Sequence, residues 1–204
     1  MEFLTNINLN VLGVQRTGQH AIASWLIGHF NNVCFRNGVS KKLDSCLIPP
    51  FWYFDLDKNG FKRKISQDAL IAPNQDAIII GSEYTTRPFK MPDNIEQEKL
   101  EMAQKQGKDE FAKTTFNVIV IRSPWNHLAS VLSWKSRWYL KKKERFIKCW
   151  KMVAKEYAGK TDNIPCPKVF VKYDEWFANK SYRQDISKKL GIPFSDRGVN
   201  NVMP

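Results

Sequence analysis

The chain has 204 residues and 43% hydrophobic content, enough to bury a real core and too apolar for a disordered segment. No apolar run approaches the length of a membrane-spanning helix. A net charge of +12 points towards anionic partners.

In chain order, the N-terminus enters an apolar run within a few residues, so no secretory signal is visible. Apolar runs closed by turn residues predict strands over 8–14, 32–36, 76–81, 117–122 and 168–172. Helical spacing predicts helices over 18–30, 94–106, 125–139, 144–158 and 181–190. Asn31-Asn32 can end the first helix. Pro124 can open the third, where its missing N–H costs nothing. Ser181 can cap the last, and Gly191-Ile-Pro193 stops it. Residues 38–75 read as irregular, with Pro49-Pro50 followed by the aromatic cluster Phe51-Trp52-Tyr53-Phe54. Alternating strands and helices imply an α/β fold in three layers, a mostly parallel sheet flanked by helices, in one domain over residues 1–204. Cys34, Cys46, Cys149 and Cys166 show no metal-like spacing and read as reduced thiols of a cytoplasmic protein.

Charge is unevenly spread. Between Lys135 and Lys160, ten Lys and Arg stand against Glu144 and Glu156, interleaved with Trp138, Tyr139, Phe146, Trp150 and Tyr157. A solvated helix face and an anion-attracting field both fit this composition. Single-stranded nucleic acid is the weaker reading, because aromatics at helical spacing are more often core.

Two segments carry chemistry. In Val11-Leu-Gly-Val-Gln-Arg-Thr-Gly-Gln-His-Ala-Ile-Ala-Ser-Trp25, a strand passes through a turn bounded by Gly13 and Gly18 into a helix. The glycines are spaced as in a phosphate-binding loop, but Gln19 and His20 stand where Lys and Ser/Thr would serve a magnesium-bound nucleoside triphosphate. Helix-start N–H groups favour an oxyanion, and Arg16 adds a planar fork of donors. In Asn117-Val-Ile-Val-Ile-Arg122-Ser-Pro-Trp, a second strand ends in Arg122, and Ser130 follows eight residues later, two turns into the next helix.

Arg, any residue, Pro, then Ser at the eighth position resembles the 3′-phosphate-binding segment of sulfotransferases that use 3′-phosphoadenosine 5′-phosphosulfate (PAPS). Gly-Val-Gln-Arg16-Thr-Gly-Gln-His20 is similar to their 5′-phosphosulfate loop. Two weaker segments agree in order. Tyr173-Asp-Glu-Trp, with the later Leu190-Gly191, resembles the family's Tyr-Glu-Asp-Leu strand end and following helix. Ala77-Ile-Ile-Ile-Gly-Ser-Glu83 resembles the strand that carries the catalytic Glu in heparan-type carbohydrate sulfotransferases. The likeness covers roughly residues 8–30, 76–86, 117–134 and 168–192 and implies a P-loop-like sulfotransferase architecture.

Several features depart from that pattern. Gln19 and His20 replace a Thr pair. No Trp stands at Ala21 to stack on adenine, and Trp25 lies a turn further on. No Gly-rich C-terminal loop is seen, and the chain stops at Pro204 in a polar stretch, as a minimal variant or a shortened chain would.

The resemblance implies transfer of a sulfuryl group from PAPS to an acceptor hydroxyl, anionic or carbohydrate, without a metal. Arg16 would stabilise the leaving oxygen, and Gln15, Thr17, Gly18, Gln19, His20 and Ala21 would surround the phosphosulfate. Arg122 and Ser130 would hold the 3′-phosphate, and Tyr173 would sit beside the adenine. Glu83, at a strand's carboxyl end, is the expected general base. His20 is the alternative base. His127 reads as covering its helix start, and His29 as a satisfied helix residue. Two other readings stay open: a P-loop kinase-like phosphotransferase, and a non-catalytic module for nucleotide or nucleic acid.

Overall fold

The computed structural model describes residues 7–30, 32–36, 51–57, 60–66, 77–84, 114–133, 143–164 and 167–199. Its elements are β1 (Ile7–Val14), α1 (Gln19–Ile27), β2 (Asn32–Arg36), β3 (Phe51–Asp57), β4 (Gly60–Ser66), β5 (Ala77–Tyr84) and β6 (Thr114–Ile121). They continue with α2 (Pro124–Ser133), α3 (Lys143–Tyr157), β7 (Lys168–Lys172), α4 (Tyr173–Ala178) and α5 (Lys180–Leu190).

All strands lie in one sheet of order β4-β3-β2-β5-β1-β6-β7. Strands β2, β5, β1, β6 and β7 run parallel, and β3 and β4 add an antiparallel hairpin at one edge. All five strands expected from the apolar runs are present. The hairpin corrects the reading of 38–75 as irregular. Phe51–Phe54 belong to β3, and Asp57 pairs with Gly60. The expected helix over 94–106, Pro49-Pro50 and residues 134–139 lie outside the described residues.

Side-chain alternation splits the core into two layers, one on each face of the sheet. Ile7, Leu9 and Val11 of β1, Val118 and Val120 of β6, and Val169 and Val171 of β7 meet α1, Trp176 of α4, and Ile186 and Leu190 of α5. On the other face, Leu12, Val14 and Ile119 meet Val131 of α2 and Phe146, Cys149 and Val153 of α3. β1 is buried along its whole length, as a central parallel strand must be. On the α2–α3 face its buried Asn10 donates from Nδ2 to Oδ1 of Asn117 at 3.0 Å, opposite in register. A slip by one residue would strand both amides among apolar side chains, so the pair helps fix the register.

Local chemistry sets the helix ends. Asn179, not Ser181, caps α5. Its Oδ1 accepts from the backbone N–H of Ser181 at 2.9 Å and of Tyr182 at 3.3 Å, while Ser181 Oγ donates to the same atom at 2.8 Å. Gly191 ends the helix in the left-handed region at φ 66°, where the N–H of Ile192 returns to Ser187 O. Helix α1 gives way at Gly28, before Asn31-Asn32, and Asn32 already belongs to β2.

A short C-terminal strap, residues 192–199, lies across α1. Trp25 Nε1 donates to Ser195 O at 2.8 Å, and a Cβ on Gly28 would strike the Arg197 backbone. Arg183 fixes the strap from α5, donating to Asp196 Oδ1 at 2.8 Å and to Trp176 O at 2.7 Å. In the last turn of α3, the buried Glu156 accepts from Lys168 Nζ at 2.8 Å, Thr161 Oγ1 at 2.6 Å, and the N–H groups of Asn163 and Ile164. Burial alone would raise the pKa of this carboxyl, but the four donors outweigh it and hold the value at about 2. Among the described residues, no helix is long and apolar enough to cross a membrane. Cys149 is buried.

Candidate functional site

The site is defined first by topology. From β1 the chain crosses by α1 to β2 on one side of the sheet. From β6 it crosses by α2 and α3 to β7 on the other. The two crossovers pack on opposite faces. They therefore part company at the carboxyl ends of neighbouring strands β1 and β6, where open α/β sheets form their ligand crevice. Both segments singled out in the sequence emerge there.

The loop after β1 is tightly wound. Thr17 donates to Val14 O twice, from its N–H at 3.0 Å and from Oγ1 at 2.7 Å, and its side chain is buried. Its hydroxyl therefore braces the turn. Arg16 is exposed and sits at φ 71°, a left-handed conformation uncommon for a side-chain-bearing residue. Gly18 follows at φ 92° as the N-cap of α1, with no side-chain cap and no acid in the first turn. The first N–H groups of such a helix lack intrahelical partners, and nothing negative on α1 answers its dipole. Ala21 is buried and bonded back to Gly18 O at 3.0 Å.

Beneath this open end lies unusual polarity. Gln19 is 3% exposed, yet among the described residues neither its Oε1 nor its Nε2 has a hydrogen-bond partner, and Gln15 Oε1 and Arg122 Nε are buried in the same condition. Buried polar atoms are nearly always paired. Gly13 makes room for this arrangement, since a Cβ there would meet Thr17 Oγ1 at 2.7 Å and Gln19 Oε1 at 3.0 Å.

The β6–α2 segment closes over the loop. Arg122 Nη1 donates to Arg16 O at 3.3 Å, and its guanidinium lies 4.7 Å from the Tyr173 ring centroid. The Tyr173 ring packs against Gly18, leaving no space for a Cβ. His127, buried on α2, bonds through Nε2 to Gln15 O at 2.7 Å. A carbonyl can only accept, so this nitrogen carries the proton. Burial lowers the His127 pKa, the Gln15 bond opposes the shift, and the Arg122 charge adds to it. His127 thus ties α2 to the loop, a role beyond covering its helix start. Ser130 lies further along α2 and is half-buried.

Strand register brings a third segment alongside. Glu83, near the end of β5, pairs with Gly13 at the start of the loop. His20 is half-buried in the first turn of α1. Trp25 is fully buried between His29 and Trp176, so it is a core residue and cannot stack on a ligand. His29 is satisfied as expected, bonded to Trp25 O at 2.8 Å and accepting from the Ser195 N–H at 3.3 Å.

Three residues that the sequence does not single out contribute: Asp174, Asn126 and Trp150. Asp174 accepts from the Ser123 N–H at 2.8 Å and from Asn126 Nδ2 at 2.9 Å. Trp150 Nε1 donates to Arg122 O at 2.9 Å, anchoring the strand end from α3. An acid directly after the strand-end Tyr173 was the only available signal for the first two. Protein-family models give no match to the chain, and no curated protein matches it.

Proposed function

We propose that the protein transfers a sulfuryl group from PAPS to an acceptor hydroxyl. One observation carries the reading: the uncapped start of α1 and the guanidinium of Arg122 meet at one crevice, Arg122 Nη1 lying 3.3 Å from Arg16 O. The buried amide of Gln19, without a hydrogen-bond partner among the described residues, adds polar capacity beside it. This supports a ligand with two separate anionic groups. In the proposed role, the α1 start with Gln15, Arg16, Gly18, Gln19 and His20 takes the 5′-phosphosulfate. Arg122 and Ser130 take the 3′-phosphate by charge and hydroxyl, with Tyr173 beside the adenine.

The reaction breaks the bond between sulfur and the bridging phosphate oxygen. The acceptor oxygen forms the new bond to sulfur and gives its proton to Glu83. The departing phosphate oxygen keeps the electron pair and is stabilised by Arg16, which cannot lose its own proton. Glu83 suits the base role because the register sets it beside Gly13 at the carboxyl edge. A kinase-like reading is weaker, since Gln19 and His20 replace the Lys and hydroxyl that a Mg²⁺-nucleotide loop uses.

A thermal-shift panel of PAPS, 3′,5′-ADP, ATP–Mg²⁺ and an oligonucleotide tests the proposal, because a ligand that binds only the folded state stabilises it. Stabilisation by the first two, with sulfuryl transfer from labelled PAPS persisting in EDTA, is the expected result. A shift with ATP–Mg²⁺ alone favours phosphotransfer, and one with the oligonucleotide alone favours a binding module.

A further inference from the structure

We infer that Asp174 is a positioning residue for Arg122, holding the guanidinium and the start of α2 in the geometry that receives the second anionic group. The inference rests on the sulfotransferase reading for the identity of that group. The positioning itself rests on contacts.

Consecutive residues of β7–α4 grip Arg122 from two directions. Tyr173 lies under the guanidinium face, and Asp174 Oδ1 stands 3.7 Å from Nε. The same carboxylate holds the Ser123 N–H and the Asn126 amide, the residues just before and within the first turn of α2. Helix α2 has no acid of its own in that turn. Asp174, reaching over from α4, supplies the negative charge that its N-terminus favours. One carboxylate therefore fixes both the helix start and the direction of the arginine fork. At 3.7 Å the Nε–Oδ1 pair is an ion pair without a hydrogen bond, and among the described residues Nε has no hydrogen-bond partner. A ligand drawing the Nη atoms forward has a carboxylate behind it that keeps the fork aimed.

Asp174 also carries a charge that repels the ligand. That repulsion is weakened, since the Asp174 side chain is 35% exposed to water and its charge is offset by the Arg122 guanidinium 3.7 Å away. An arginine freed of this contact must be ordered again at every binding event, at an entropy cost. Positioning therefore outweighs repulsion, and removing the charge should weaken binding.

The test compares wild type with Asp174→Asn, Asp174→Glu and Arg122→Lys. Calorimetry gives affinities for 3′,5′-ADP and 5′-AMP, and ¹⁵N NMR follows the arginine Nε–H resonance that Arg122→Lys removes. Asp174→Asn should lower the preference for 3′,5′-ADP by about fivefold or more, while 5′-AMP affinity stays within about twofold. Asp174→Glu should recover part of the preference. The Arg122 Nε–H signal should shift and exchange faster in Asp174→Asn. A merely structural role would weaken both nucleotides together. An unmoved Nε–H resonance, or an unchanged nucleotide preference in a wild type that shows one, overturns the inference. A wild type without that preference overturns the sulfotransferase reading instead, and the Nε–H measurement then decides the role of Asp174.

Discussion

The ring of Tyr173 lies against the backbone of Gly18, so closely that any side-chain carbon at position 18 would collide with it. The residue at the mouth of the loop is thus fixed twice, by this contact and by its φ of 92°. Gly18→Ala should destabilise the protein by about 2–4 kcal/mol, the sum of a left-handed backbone penalty and an overpacking cost. Urea unfolding measures it. A change below about 0.5 kcal/mol, the range of neutral surface substitutions, would contradict the packing.

Arg122→Ala should reduce 3′,5′-ADP affinity by about 10–150-fold, the worth of a charge-assisted phosphate contact. Affinity for 5′-AMP should change much less. Calorimetry on both ligands checks this, and an equal loss for both would remove the 3′-phosphate assignment. Ser130→Ala should act in the same direction with a smaller effect, since a neutral hydroxyl contributes less than a guanidinium.

Glu83→Gln should cut turnover by about 10²–10⁴ while PAPS affinity holds within about twofold. A base acts on the acceptor proton, and Gln keeps the size but not the basicity. Single-turnover kinetics with labelled PAPS separates the two effects. His20→Asn is the paired control, expected to weaken donor binding. Normal turnover in Glu83→Gln, beside a dead His20→Asn that still binds PAPS, would exchange the two roles.

Burial lowers His29 to about 4, against bonds from the Trp25 and Leu26 backbone and the Asp196 charge that pull it up. The unfolded chain binds this proton first, so stability is full above about pH 6.5 and falls as the pH drops towards 4. The loss amounts to roughly 2–3 kcal/mol. Protonation places a second N–H against that of Ser195, so the strap over α1 loosens first. Denaturant melts from pH 7 to 4 should show this slope, and His29→Gln should flatten it.

Glu156 acts in a lower window. Its folded value of about 2 lies below the 4.5 of an unperturbed glutamate, so its contribution is present above pH 4.5 and fades as the pH falls towards 2. Glu156→Gln at pH 7 should cost about 1–3 kcal/mol, because an amide N–H₂ would face donors. Melting at pH 7 and pH 3 checks it, with the mutant's deficit shrinking at the lower pH.

Much of this was legible in the sequence, for identifiable reasons. Buried parallel strands are mostly apolar, so β1, β5, β6 and β7 stand out, while the paired Asn10 and Asn117 interrupt two of them. The loop declared itself through Gly13 and Gly18, whose spacing reflects backbone demands. The β3–β4 hairpin was missed because its strands mix charged and aromatic residues. The Asn59-Gly60 step between two such runs was the available hairpin signal. Asp174 escaped because its partners Ser123 and Asn126 lie some fifty residues earlier, and only β6–β7 pairing brings them together. Ser181 suits a cap by residue type, but Asn179 suits it equally and begins the helix two residues sooner.

The position of β1 also bears on how the chain acquires its structure. Ile7 pairs with Ala77 on one side and Thr114 on the other, so β1 gains its first neighbour only with β5 and its second only with β6. Its loop-closure cost precedes any ladder bond, which makes folding slow and leaves an apolar edge open during synthesis. A nascent chain halted before residue 114 would carry Leu9, Val11 and Leu12 without the β6 side of their sheet. Such a fragment should associate with itself or with chaperones, and release should coincide with emergence of β6.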